Sequence, residues 1–268
     1  MTSCPRRRDL NAEPLDSRLR GNDGRGIHSL NNPLPGTIEP RIVLYYSETL
    51  HGNTRSCAPQ IHMLLMFDID GTLFKGHRAT VPAVQEAFEK FHLIPPLKEE
   101  IVHSIGTSMF DYELWLAERC GDLDSDEVLA EVNRLELHHV RESASLYDGA
   151  LDILQGFKDD GHFIATCTNA PRDYFDAVLE GQGLRPFIDL PLCKGDGFGG
   201  KTAMVKRAMA SCADRPAIVI GDRKDDVDAA HANGALAIGT AYGYGADGEL
   251  EAADTIIHSL ARLPIVLP

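Results

Sequence analysis

The sequence predicts an α/β protein, a doubly wound Rossmann-like parallel sheet with an inserted all-helical subdomain. Three observations carry this. Short apolar runs recur after residue 61, with amphipathic helical stretches between them. Most of these runs are continuous rather than alternating, as strands covered on both faces must be. Residues 77–145 break the alternation and contain helical patterns alone.

Taken in order, MLLMF (63–67) reads as the first strand. VPAVQEAFEKFH (81–92), SMFDYELWLAERCG (108–121) and SDEVLAEVNRLELHHVRESA (125–144) read as the helices of the inserted block. Thr80 with Pro82, and Ser125 before two acids, mark expected helix starts. Beyond the block, helices are expected over 150–161, 173–183, 202–210 and 226–234. Strands are expected over 162–168, 217–221, 235–240 and 254–260. Gly161, Gly183 and Gly234 stand where helices should end. The apolar run FIDLPLC (187–193) reads as a further strand, although Pro191 is awkward in a central one. The core is thus expected over 63–76 and 146–268, with the helical block over 77–145. Ligands of such sheets bind beyond the carboxyl ends of the strands, so a block inserted at that edge would cap the site.

Residues 1–62 differ from the rest. Positions 1–60 hold eight Lys+Arg and six Asp+Glu, a net of +2, leaving −16 of the overall −14 to residues 61–268. The segment is rich in Arg, Asn, Pro and Gly, without a sustained period, and lacks an apolar secretory core. LDSRLRGNDG (15–24) resembles the translation of a repeat element common between bacterial genes. A disordered extension, or one added by an overlong gene assignment, is the expectation, with Met63 or Met66 as the natural start.

The net charge of −14 argues against nucleic acid or an anionic membrane as partner. No apolar run approaches the roughly 20 residues of a membrane span. Six scattered cysteines without a CxxC pair suit a reduced, cytoplasmic protein.

The most informative stretch is FDIDGTL (67–73). Asp68 and Asp70 close the first strand, two residues apart and so on one face if the chain stays extended. Two carboxylates held together need a cation or a shared proton. AIVIGD (217–222) also ends in a carboxylate, Asp222, with Asp225 and Asp226 just beyond. Parallel neighbours would aim Asp68 and Asp222 at a common point, and oxygen-only ligands suit Mg²⁺. Thr168 and Asn169 end a third strand. Lys201 opens a helix, whose N-terminus favours anions. Acids, metal, hydroxyl and lysine together describe phosphate transfer.

These residues resemble the four motifs of the haloacid dehalogenase superfamily in its phosphatase branch: FDIDGTL, the strand ending in Thr168-Asn169, the helix-opening Lys201, and Gly221-Asp222 with Asp226. The resemblance covers about 63–268 and is nearest to phosphoglycolate phosphatase-like enzymes with a helical cap. Asp148 departs from it, standing where proline is usual. The resemblance implies Asp68 as nucleophile, forming an aspartyl-phosphate, and Asp70 as acid and then base. It implies Mg²⁺ held by Asp68, the Asp70 carbonyl and Asp222, with Asp226 supporting from behind. Thr168, Asn169 and Lys201 would hold the phosphoryl oxygens. Gly106, in SIGTS (104–108), would help choose the substrate. That substrate would be a small phosphorylated metabolite, and the enzyme a monomer or homodimer.

An acid at position 70 favours phosphoryl transfer over dehalogenation, because an alkoxide leaving group needs a proton and a halide does not. A phosphomutase would use the same residues. A nucleotide-binding P-loop is the rival offered by GDGFGGKT, Gly195 to Thr202, which fits G-x-x-x-x-G-K-[ST]. It leaves Asp68, Asp70 and Thr168 without a use. A silent binding protein would need none of these acids. His138-His139, Trp115 and Cys167 read as solvated face, packing and buried thiol, and Arg172 and Arg223 as residues near the site edge.

Overall fold

The computed structural model describes residues 61–267, so the expected N-terminal extension lies outside the described residues. Five parallel strands form one sheet in the order β2-β1-β3-β4-β5. They are β1 (Leu64–Phe67), β2 (Phe163–Thr166), β3 (Ala217–Gly221), β4 (Leu236–Thr240) and β5 (Thr255–Ile257). The chain leaves β1 for a neighbour on one side and returns to the other side with β3. This places the topological switch point, where such sheets bind ligands, between β1 and β3.

Alternation along the strands divides the core into two layers. Leu65, Phe67, Ile164, Ile218 and Ile220 face one apolar cluster. It is covered by α5 (Ala150–Asp159) and α6 (Arg172–Gly181), through Leu154, Phe157, Phe175 and Val178. Leu64, Met66, Ala165 and Val219 face the other. There α7 (Lys201–Ser211) and α8 (Lys224–Ala232) cover the sheet with Met204, Val205, Val227 and Ala230. Gly161, Gly183 and Gly234 take φ values of 77°, 69° and 71°, the left-handed geometry expected at those helix ends. A short α9 (Leu263–Val266) follows β5.

Between β1 and α5 lie only helices: α1 (His77–Lys90), α2 (Lys98–Ser104), α3 (Met109–Ala117) and α4 (Ser125–Glu142). They bury a third cluster of their own, with Val84, Phe88, Ile101, Leu116, Val128 and Val132 at its centre. The chain enters and leaves this block through paired segments. Phe74 and Leu146 form an antiparallel bridge, Lys75 N–H donates to Ser145 O, and Tyr147 N–H donates to Leu73 O.

Several expected boundaries move. Helix α1 begins at His77 rather than near Thr80, and Pro82 sits inside it. The proline supplies no N–H for Arg78 O, so α1 forgoes one hydrogen bond in its second turn. The cap of α4 is Asp124, whose carboxylate accepts from Asp126 N–H at 3.0 Å, and Ser125 is the first helical residue. Helix α2 was not expected: it follows Pro95-Pro96 and spans only seven residues. The run 187–193 does not form a strand. Only Leu190 and Cys193 make isolated bridges, to Ala165 and Thr168, with Pro191 between them. A strand feeding Gly195 is what a P-loop requires, and it is absent among the described residues.

Candidate active site

Strand register brings the motif residues to one edge. Phe67 pairs with Thr166 on one side and Ile220 on the other. The residues just beyond, Asp68, Thr168 and Asp222, therefore emerge together at the carboxyl end of the sheet. The chain turns at once after β1: Ile69 O accepts from the N–H groups of Thr72, Leu73 and Phe74. This turn parts the two carboxylates of FDIDGTL. Asp68 stays with the cluster, while Asp70 Oδ1 accepts from Tyr174 Oη at 2.8 Å.

Lys201, at the start of α7, is 3% exposed and reaches into the acids. Its Nζ donates to Asp226 Oδ1 at 2.8 Å and stands 3.2 Å from both Asp68 Oδ2 and Asp225 Oδ1. These carboxylates hold its ammonium well above its ordinary range against the pull of burial. Asp226 is fixed from its other oxygen by Arg223 N–H at 3.2 Å. Asp222 Oδ2 accepts from Tyr244 N–H at 2.6 Å.

Asp68, Asp222 and Asp226 each offer an oxygen within 4.8 Å of the others, and all three are buried. Burial raises each carboxyl, that of Asp222 to about 7, with the charge of Asp68 raising it further. One lysine cannot neutralise three acids. Asp68 Oδ1 and Asp222 Oδ1 are buried and accept no hydrogen bond, and Asp68 Oδ2 has only the ion pair with Lys201. Buried oxygens left unpaired are costly, and an all-carboxylate set suits a hard divalent cation. The residues present therefore fit a metal. Gly71 belongs to the same arrangement: its φ is 81°, and a Cβ there would meet Asp222 Oδ2 at 2.2 Å.

The carboxyl of Asp70 is also pushed well above the usual range by burial and by the charge of Asp68, although the Tyr174 hydroxyl opposes this. It borders a cavity of about 90 Å³ whose other walls include Thr168, Asn169, Gly106, Tyr112 and Glu136. Thr168 is buried, and its Oγ1 lies 3.4 Å from Ala170 N. Asn169 donates to Gly106 O at 3.2 Å and to Asp225 Oδ2 at 2.8 Å, joining the sheet edge to the helical block. Arg223 does the same, donating to Tyr244 O at 2.9 Å and His103 O at 3.3 Å. Arg172 is held by Asp196 and Asp176. Burial pushes up the Cys167 thiol, which suits a packing residue.

Of the sequence-derived candidates, Asp68, Asp222, Asp226 and Lys201 meet in one cluster. Asp70, Thr168, Asn169 and Gly106 line the adjoining cavity. Reading the sequence did not find Tyr174, Tyr112 or Glu136. The tyrosines carry no motif signal. Glu136 does, because the row Val128, Val132, Glu136, Val140 runs at four-residue steps and the acid interrupts it.

Comparison with known proteins gives the family. The chain is 28% identical over 214 residues to a phosphoglycolate phosphatase of Pseudomonas putida, covering 75% of this chain and 78% of that protein. It is 26% identical over 183 residues to pyrophosphatase PpaX of Bacillus pumilus, covering 66% and 82%. Among solved structures it is similar to a predicted phosphoglycolate phosphatase from Haemophilus somnus. There the TM-score is 0.68 and the identity 20%, over 78% of this chain and 99% of the other, which bears on the fold. The haloacid dehalogenase-like hydrolase family model matches residues 65–240, from β1 to the end of β4. That span takes in both carboxylate-bearing strand ends and Lys201, and the chain belongs to the haloacid dehalogenase-like hydrolase family.

Proposed function

We propose that the protein is a Mg²⁺-dependent cytoplasmic phosphatase that hydrolyses a small phosphomonoester through an aspartyl-phosphate, with the helices of 77–145 as its cap. The observation that carries this is the division of labour between two neighbouring acids. Asp68 presents unbonded oxygens beside the Lys201 ammonium, whereas Asp70 lies apart on the Tyr174 hydroxyl with no cation beside it, and burial raises its carboxyl well above the usual range. A nucleophile and an acid are thereby separated by environment, although both are aspartates.

In this reading an oxygen of Asp68 attacks phosphorus as the ester P–O bond breaks, and Asp70 delivers its proton to the departing oxygen. Asp70, now ionised, takes a proton from the water that attacks the aspartyl-phosphate, so phosphate leaves and Asp68 is restored. Tyr174 positions Asp70 by its 2.8 Å hydrogen bond. Lys201 and Thr168 hold phosphoryl oxygens, with Asn169 beside them. Asp68, Asp222 and the Asp70 carbonyl would hold the metal, with Asp226 supporting Lys201. When bound, the metal supplies positive charge to the phosphoryl oxygens.

Phosphate release from p-nitrophenyl phosphate by the purified chain tests the reading. Turnover is expected to need Mg²⁺, to stop on chelation, and to fall by at least about 10³-fold in Asp68→Asn. Undiminished turnover in that variant would remove Asp68 as nucleophile.

A further inference from the structure

Resting on that phosphatase reading, we infer that the leaving group of the substrate carries hydrogen-bond donors and no second anionic group, and that Glu136 and Tyr112 select it. The cavity beside Asp70 lies where the leaving oxygen must depart to receive its proton. Its volume of about 90 Å³ admits a group of a few heavy atoms.

The cavity walls hold no Lys, Arg or His. They do hold a second acid, Glu136, with Thr80 also in the wall. Burial raises the Glu136 carboxyl to about 7. The hydroxyl of Tyr112 is buried there without a partner, and its ring stacks on Trp115 with 5.9 Å between ring centres. The nearby basic groups are engaged elsewhere. Arg223 serves two backbone carbonyls and stands 3.5 Å from Glu249, and Lys201 sits in the carboxylate cluster. Arg172 is paired with Asp176 and Asp196.

A carboxylate or phosphate on the leaving group would thus enter a space whose walls offer no cation to balance its charge, which is unfavourable. A hydroxyl or ammonium would instead donate to Glu136 and give Tyr112 its missing partner. The names of the similar proteins point the other way, because glycolate and phosphate are anionic leaving groups.

The test is a set of kcat/KM values for the full chain with Mg²⁺. Glycerol 1-phosphate offers hydroxyls, O-phosphoethanolamine an ammonium, and phosphoglycolate and pyrophosphate an anion. Glycerol 1-phosphate or O-phosphoethanolamine is expected to exceed both anionic substrates by at least about tenfold, and the better of the two identifies the donor. Glu136→Gln should lower that ratio by about tenfold, mainly through KM, and Tyr112→Phe should lower it in the same direction. Glu136→Lys should raise phosphoglycolate turnover. Equal or better turnover of either anionic substrate overturns the inference and leaves the phosphatase reading intact. So does an unchanged ratio in both Glu136→Gln and Tyr112→Phe. No hydrolysis of any substrate, p-nitrophenyl phosphate included, overturns the phosphatase reading and this one with it.

Discussion

Glu136 occupies the row of α4 otherwise held by Val128, Val132 and Val140, and burial raises its carboxyl to about 7 from 4.5. Between those values the folded chain keeps a proton that the unfolded chain releases. Stability therefore falls as pH rises from about 4.5 to about 7 and is level above that, as far as this group decides it. Glu136→Gln removes the dependence. The variant is expected to be more stable than the parent by up to roughly 3 kcal/mol at pH 8, with the gap closing toward pH 4.5, in urea titrations at the two pH values. A residue retained against stability is more readily understood as functional than as structural. The interrupted row is legible in the sequence. The cavity that the acid faces is not, because it depends on where α4 lies over the end of β2.

At the scale of elements, the turn after β1 decides most. Its two acids looked like one face of an extended strand, but β1 stops at Phe67 and the backbone folds back on Ile69 O. That departure sends Asp68 to Lys201 and Asp70 to Tyr174. Periodicity located each of the five strands, because continuous apolar runs are what a doubly covered sheet demands. It failed at 187–193, where an apolar run meets the edge of the sheet only through isolated bridges at Leu190 and Cys193, and at α2, too short to develop a period. The turn itself is testable. Gly71→Ala imposes a side chain at φ 81° and crowds Asp222. A loss of at least about 1–2 kcal/mol is expected from the backbone conformation alone, measured by thermal unfolding, together with weakened Mg²⁺ stimulation.

For the whole molecule, a metal held by the cluster would couple its binding to folding. Three buried acids share one lysine, so the metal-free protein carries unresolved repulsion at the centre of its fold. Mg²⁺ at about 100 times its Kd should add roughly 2.7 kcal/mol, which for this size raises Tm by about 5–10 °C. Calorimetry with and without Mg²⁺ checks this. Asp222→Asn should lose the shift while unfolding at a higher temperature than the metal-free parent. No described helix is long and apolar enough to cross a membrane. The sites of charge on the chain were legible as motifs because each stands at a strand end or helix start, where local sequence dictates position. The pairing of Phe74 with Leu146 has a different kind of consequence. Both leads of the helical block meet at one junction, and the block carries its own apolar centre. Exchanging it for another helical insert would disturb little of the sheet, so in the proposed phosphatase the apparatus that breaks the bond and the one that chooses the molecule could be inherited, and altered, separately.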